Sequence, residues 1–347
     1  MLSLATAATA LPLRLFEEPR PRVVGGVETS FNRYPFVVAL LKDGEFFCGG
    51  SLVSPNLVLT AAHCITESSN PAVYQVSSSR HTLSTPMGPD QPEYLDPEVD
   101  NPECGDTVAV AQLVPHPEYD PDTVQNDLAL LVLSDAVKCS DQIAFATLDH
   151  GENSGPGNEL TVAGWGALYD PSYYPLFGTT ITPGVLHEAE VRTFGSSECN
   201  ALLCGPIFGF LGLCPYLDGP EMCAGNLLGG VDACAGDSGG PLFRVGDDGV
   251  PVLVGVTSWG FGCAEPLTPG VYTRVSRYRE WVDSYRCSQS EAHWAKSWRL
   301  KPTAGCAPAP PPPPSPPPSP LPPPALMEAV LQGGEHILSS LPLGGGR

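Results

Sequence analysis

The sequence predicts an all-β fold with one terminal helix, and three observations carry that prediction. Short runs rich in Val, Leu and aromatic residues follow one another from residue 36 to residue 275, set apart by Gly, Pro, Asn and Asp. Only residues 276–286, SRYREWVDSYR, repeat their apolar side chains at helical spacing, with Tyr278, Trp281, Val282 and Tyr285 on one face. The 12 cysteines are even in number and spread along 347 residues, the usage of a disulfide-bonded domain in an oxidising compartment. Many short strands and one helix suggest a sandwich or a pair of barrels.

The elements justify themselves in order. Residues 1–22 open with MLSLATAATALPLRLF, which has no basic n-region and only a short apolar stretch diluted by Ala and Thr, so they read as a weak signal or propeptide. The strand candidates are FVVALL, SLVSPNLVLTA, VAVAQLV, DLALLVL, ELTVAGWG, PVLVGVTSWG and GVYTRV, with no tandem repeat among them. A linker over 288–306 follows the helix. Residues 307–324 hold 13 Pro in 18, which permits only polyproline II, a spacer of roughly 55 Å at about 3.1 Å per residue. A stiff spacer is the plainer reading. Its SPPP runs also resemble hydroxyproline-rich wall glycoproteins of plants and green algae, which implies association with an extracellular matrix. Residues 325–347 read as a disordered tail with room for one short helix.

Composition bounds the function. A hydrophobic fraction of 42% supports a packed core. The net charge of −21 excludes a basic face for nucleic acid and disfavours anionic membrane surfaces. Residues 23–287 concentrate that charge, with ten basic and thirty-three acidic residues. No run of 18 apolar residues occurs, so no transmembrane helix is expected. No Asn-x-Ser/Thr sequon occurs either.

Three segments carry chemistry: Leu59-Thr60-Ala61-Ala62-His63-Cys64, Asn126-Asp127-Leu128-Ala129-Leu130-Leu131, and Asp232-Ala233-Cys234-Ala235-Gly236-Asp237-Ser238-Gly239-Gly240-Pro241. A lone His is more often a surface or core residue, and an Asp before an apolar strand is often a turn residue. The glycine-flanked serine is the specific signal, because its neighbours leave backbone N–H groups free and let a substrate approach. Together the segments, in the order His, Asp, Ser, resemble the chymotrypsin/trypsin family of serine proteases over residues 23–287.

The resemblance implies two six-stranded antiparallel β-barrels with a C-terminal helix. It also implies roles that follow the general template of this family. Ser238 is the nucleophile, His63 the general base and then acid, and Asp127 the residue that holds the imidazole. The N–H groups of Gly236 and Ser238 form the oxyanion hole. Arg22-Val23-Val24-Gly25-Gly26 resembles the activation site: cleavage after Arg22 frees the Val23 amino group, which pairs with Asp237. Asp232, six residues before Ser238, matches the base of the primary pocket and, as in trypsin, selects Arg or Lys. Gly260 and Gly270 match the pocket walls, and Ser258, Trp259 and Gly260 match the strand that pairs with substrate.

The cysteines fit the same resemblance. It implies the pairs Cys48–Cys64, Cys199–Cys223 and Cys234–Cys263, while another common family bridge is absent at both of its ends, Leu160 and Arg244. Cys204 and Cys214, inside the 199–223 loop, are expected to form an extra staple. Cys104, Cys139, Cys287 and Cys306 permit three pairings, with Cys104–Cys139 and Cys287–Cys306 preferred.

Three segments depart from the family pattern. The 64-residue spacing between His63 and Asp127 is long, and its stretch 90–106 holds seven acids and no base. A solvated acidic loop is the favoured reading there and a calcium loop the other; no other cofactor or metal is called for. The apolar insertion 199–223 either borders the substrate groove or packs as loop core. The loop ALYDPSYYPLFG, with Tyr169, Tyr173, Tyr174 and Phe177, has no assignment.

The resemblance implies a secreted, monomeric, trypsin-like serine endopeptidase made as a zymogen, with polypeptide substrates cut after Arg or Lys and protease inhibitors as partners. The rival is a catalytically silent, protease-like extracellular binding module held by the Pro-rich tail. A milder rival is an active protease of chymotrypsin-like preference.

Overall fold

The structure is a computed structural model that describes residues 25–83, 103–167, 184–210 and 219–294, with the side chains of 206–210 and 287–294 left aside. The expected architecture is present. Six strands close the first barrel: β2 (Val37–Lys42), β3 (Glu45–Ser54), β4 (Leu57–Thr60), β5 (Tyr74–Ser78), β6 (Asp106–Pro115) and β7 (Ala129–Leu133), in the order β2-β3-β4-β7-β6-β5. Pro55 and Asn56 break the apolar run 51–61 into β3 and β4, as turn residues do.

A second ring comprises β9 (Glu159–Gly164), β10 (His187–Thr193), β11 (Glu221–Gly225), β14 (Gly270–Arg274), β13 (Pro251–Trp259) and β12 (Pro241–Val245), and it closes through the β12–β9 pairing. Two short strands are appended to it: β1 (Val27–Glu28) antiparallel to β10 and β8 (Thr147–Leu148) parallel to β13.

One hydrophobic core spans both barrels. Phe243 of β12 meets Tyr34 at 4.8 Å and Phe36 at 5.0 Å between ring centroids, both edge to face, and Trp165, Leu253 and Val256 join the same cluster as Val38, Leu52 and Leu130. A smaller core of Leu160, Val191, Met222, Leu242 and Tyr272 fills the second barrel.

The terminal helix, α2 (Arg279–Trp294), buries the face read from sequence. Val282 and Tyr278 are buried, and Trp281 and Tyr285 pack on the shared core. His116 braces it, with ring contacts at 5.0 Å to Tyr278 and 4.9 Å to Trp281.

Strands β5, β10, β11 and β12 lie outside the apolar runs of the sequence reading, and one helix departs from it, since that reading assigns helical spacing to 276–286 alone. The segment Ser196–Phe210 forms a helix, α1, kinked at Gly205. Cys199 and Leu203, four residues apart, turn inward against Cys223 and Val271 while Ala201 stays exposed. The consecutive apolar residues Ala201-Leu202-Leu203-Cys204 hide that period, and Gly205-Pro206 reads as a breaker. The Tyr-rich loop 169–177 and the Pro-rich segment lie outside the described residues.

Removing the ring that joins the barrels tests the shared core. Phe243→Ala is expected to lower the unfolding free energy by about 3–5 kcal/mol, read from the urea midpoint with disulfides intact. A loss under about 1 kcal/mol would show that the barrels do not rest on this contact.

Candidate active site

The residues brought together by the fold come from both barrels. His63 begins a single 3₁₀ turn just after β4, on a buried Ala61-Ala62 step, and Cys64 ties that turn to β3 through the Cys48–Cys64 disulfide. Asp127 is buried just before β7. Its Oδ1 accepts the backbone N–H of His63 at 2.9 Å, and its Oδ2 accepts His63 Nδ1 at 2.7 Å. A carboxylate only accepts, so Nδ1 carries the proton and Nε2 is the ring's free lone pair in the neutral form.

Ser258 of β13 donates its hydroxyl to the same Oδ2 at 2.5 Å, and Thr273 of β14 donates to the Asp127 carbonyl at 2.8 Å. Asn126 turns the chain into Asp127 with φ 54°, held by the Tyr278 hydroxyl at 2.8 Å. The side chain of Ser258 was not foreseen as a partner of Asp127; its sequence assignment concerned only the strand edge.

Ser238 sits where the two barrels meet. Its carbonyl accepts Gly49 N–H of β3 at 2.8 Å, and the next residue, Gly239, donates to Thr257 O of β13 at 2.8 Å. Gly239 has φ 76°, and a Cβ there would lie 2.2 Å from Thr60 Oγ1, so only glycine lets the serine turn approach β4. Among the described residues no hydrogen bond joins Ser238 Oγ to His63 Nε2, and the N–H groups of Gly236 and Ser238 have no acceptor. Catalytic hydrogen bonds are often long without substrate and shorten on binding.

Asp237 points away from Ser238 into the protein. Its carboxylate accepts Gly166 N–H at 2.9 Å and Cys234 N–H at 3.0 Å. A Cβ at Gly164 or Gly166 would stand 2.2 or 2.4 Å from it. Burial pushes its pKa up to about 6, against the lowering effect of those two N–H donors. No cation faces it among the described residues. Gly25 is packed against the Gly230 carbonyl so tightly that a Cβ would be 1.8 Å away; Arg22 and Val23 lie outside the described residues.

Asp232 is also buried. Oδ1 accepts Ala233 N–H at 2.8 Å and Oδ2 accepts Ala264 N–H at 3.3 Å, across the Cys234–Cys263 disulfide. Gly270 lies beside Asp232 and Gly260 beside Gly270: a Cβ on Gly270 would be 3.0 Å from Asp232 Oδ1, and one on Gly260 would be 3.8 Å from Gly270 Cα. Burial raises the Asp232 pKa to about 7; the two N–H donors oppose the shift and the Asp237 charge adds to it. Trp259 is held by Nε1–H donation to Glu221 Oε1 at 3.0 Å and packs on the α1 cluster.

The disulfides include the three pairs implied by the resemblance and also Cys104–Cys139. Cys204 is disulfide-bonded; its expected partner Cys214, and the pair Cys287–Cys306, lie outside the described side chains. The one cluster with metal-ligand spacing among the described residues is Cys48, His63 and Cys64, whose thiols are already spent on their disulfide. Most of the acidic stretch 90–106 falls outside the described residues, so the calcium reading gains no site. Among the described residues, no helix is long and apolar enough to cross a membrane.

Two barrels, the buried His–Asp pair and a glycine-flanked serine between them define a class, that of serine-type peptide hydrolases. The family model for Trypsin matches residues 23–282, and the chain belongs to that family. It is 37% identical over 264 residues to serine protease 56 of Mus musculus and 35% identical over 272 residues to serine protease 56 of Homo sapiens, alignments covering 75% and 78% of this chain. Transmembrane protease serine 11C of Mus musculus is 33% identical over 264 residues, 76% of this chain. The chain spans only 38%, 39% and 53% of the length of these relatives.

The buried Asp232 makes a stability prediction. Its folded pKa of about 7 lies above its ordinary 3.8, so between those values the unfolded chain is ionised while the folded one keeps the proton. Stability therefore falls as pH rises through that window and stays lowered above it. Relative to wild type, Asp232→Asn is expected to gain up to about 4 kcal/mol of unfolding free energy between pH 4 and pH 8, measured by urea denaturation. A difference independent of pH would refute the burial cost.

Proposed function

We propose that the chain is a secreted, trypsin-like serine endopeptidase, made as a zymogen and activated by cleavage after Arg22. The observation that carries this reading is the buried Asp127 carboxylate gripping His63 Nδ1, which leaves Nε2 as the ring's base.

Ser238 Oγ attacks the scissile carbonyl carbon while its proton passes to His63 Nε2. The carbonyl oxygen becomes an oxyanion, received by the N–H groups of Gly236 and Ser238, each donor being worth roughly 3–4 kcal/mol of barrier. Asp127 stabilises the imidazolium without taking its proton. The intermediate collapses to an acyl-serine, and the departing amine takes the proton from Nε2. Water then repeats the sequence, releasing the carboxylic acid and restoring Ser238.

Specificity for Arg and Lys is supported by the buried Asp232 carboxylate, with Gly270 beside it and Gly260 beside Gly270, which would form the base and walls of a recess. At neutral pH a guanidinium or ammonium entering the recess draws out its proton and supplies the missing counter-charge, whereas an apolar side chain leaves the carboxylate unpaired. Activation is supported by Asp237, a buried carboxylate without a described cation, and by the tight seat of Gly25 two residues beyond Val23. A new Val23 ammonium would neutralise that charge.

After cleavage at Arg22, a fluorophosphonate is expected to label Ser238, N-terminal sequencing should read Val-Val-Gly-Gly, and Arg22→Gln should prevent both. Absence of labelling in a verified Val23-start protein would favour the silent binding module. Asp232→Ser should cut turnover of Arg and Lys substrates by about a thousandfold or more while labelling persists. Wild-type release from Phe or Leu substrates, but not from Arg or Lys, would overturn the pocket assignment.

A further inference from the structure

Next to Asp232 two loops are zipped into one surface. Gly230 N–H donates to Ala264 O at 2.8 Å and Leu267 N–H to Leu227 O at 3.1 Å. Gly229 closes the seam, since a Cβ there would lie 2.7 Å from both Ala264 O and Pro266 N. The outer face of this pair is apolar where a loop is ordinarily polar: Leu228 is 86% exposed, Leu267 58% and Leu227 38%. Three leucines held out to water by a rigid seam form a patch rather than scattered surface residues.

Leu227 also belongs to a neighbouring cavity of about 310 Å³, lined with it by Glu159, Glu190, Arg192, Phe194 and Asn226. In the β9–β10 ladder Arg192 stands opposite Glu159; none of Glu159, Glu190 and Arg192 is in an ion pair among the described residues, so two carboxylates and one guanidinium line the cavity. Glu265 adds a further carboxylate two residues before Leu267. The patch is thus apolar at its centre and acidic at its rim.

We infer that this face is a docking site for a polypeptide segment that presents leucine-sized apolar side chains flanked by Lys or Arg, whether or not that segment is afterwards cleaved. Charge complementarity selects this occupant. A second copy of the chain would bring the same excess of thirty-three acidic over ten basic residues in 23–287, and like charge disfavours that contact. An anionic lipid surface is repelled for the same reason.

The test uses a short fluorescent peptide of alternating D-leucine and D-lysine, which resists cleavage, added to the full chain with benzamidine present to fill the proposed Asp232 recess. Anisotropy should show binding that weakens with salt. Binding should fall at least tenfold in L228D/L267D and in E159Q/E190Q, and about threefold in Leu228→Ser, a change at a side chain too exposed to disturb folding. Binding to L228D/L267D equal to wild type would overturn the proposal, as would equal binding of a peptide of D-lysine alone. Sedimentation showing wild-type self-association that L228D/L267D abolishes would replace the proposed partner with a second copy.

Discussion

The buried carboxylate of Asp127 is the point on which both barrels converge. From the first barrel it holds His63 by backbone and ring; from the second it accepts Ser258, and its carbonyl accepts Thr273. An ionised carboxylate out of water is costly unless its lone pairs are filled. Here three donors fill them, two from His63 within the first barrel and one, Ser258, from the second, which displacement of the barrels would remove. Tyr278 extends the same constraint to the terminal helix, because its hydroxyl fixes Asn126, the residue that turns the chain into Asp127.

Two other carboxylates are buried under different terms. Asp232 and Asp237 each receive two backbone N–H groups and meet no described cation, and both pKa values are driven upward by burial. Glycines make room for them: Gly270 beside Asp232, Gly164 and Gly166 around Asp237. The three acids therefore divide by environment. Asp127 is matched by three donors of the protein itself, while the other two are buried with two backbone N–H groups each and no cation among the described residues.

Much of this was legible because the decisive residues are compact in sequence. Gly236-Asp237-Ser238-Gly239 announces a turn that needs glycine, and the steric reason appears once Gly239 is found against Thr60. Tyr278, Trp281, Val282 and Tyr285 announced their helix because polar residues separate them cleanly. Strand β10 shows no apolar run, because exposed Glu190 and Arg192 alternate with its inward residues and its buried start carries His187 and Glu188. Helix α1 was hidden by an unbroken apolar run before Gly205. The hydroxyl of Ser258 on Asp127 bridges 131 residues, and no local pattern reports such a contact.

The shared core has a consequence for whatever enters the cleft. Phe243, Tyr34 and Phe36 join the barrels through a packed aromatic contact, which resists their moving apart. On the proposed function, a polypeptide would have to reach Ser238 already extended over several residues. For a folded target, that requirement would shift selection from the enzyme to the target: the rate at which a site is reached would follow the free energy of opening that segment locally, and termini and loop tips would be reached long before equivalent sites held in helices or sheets.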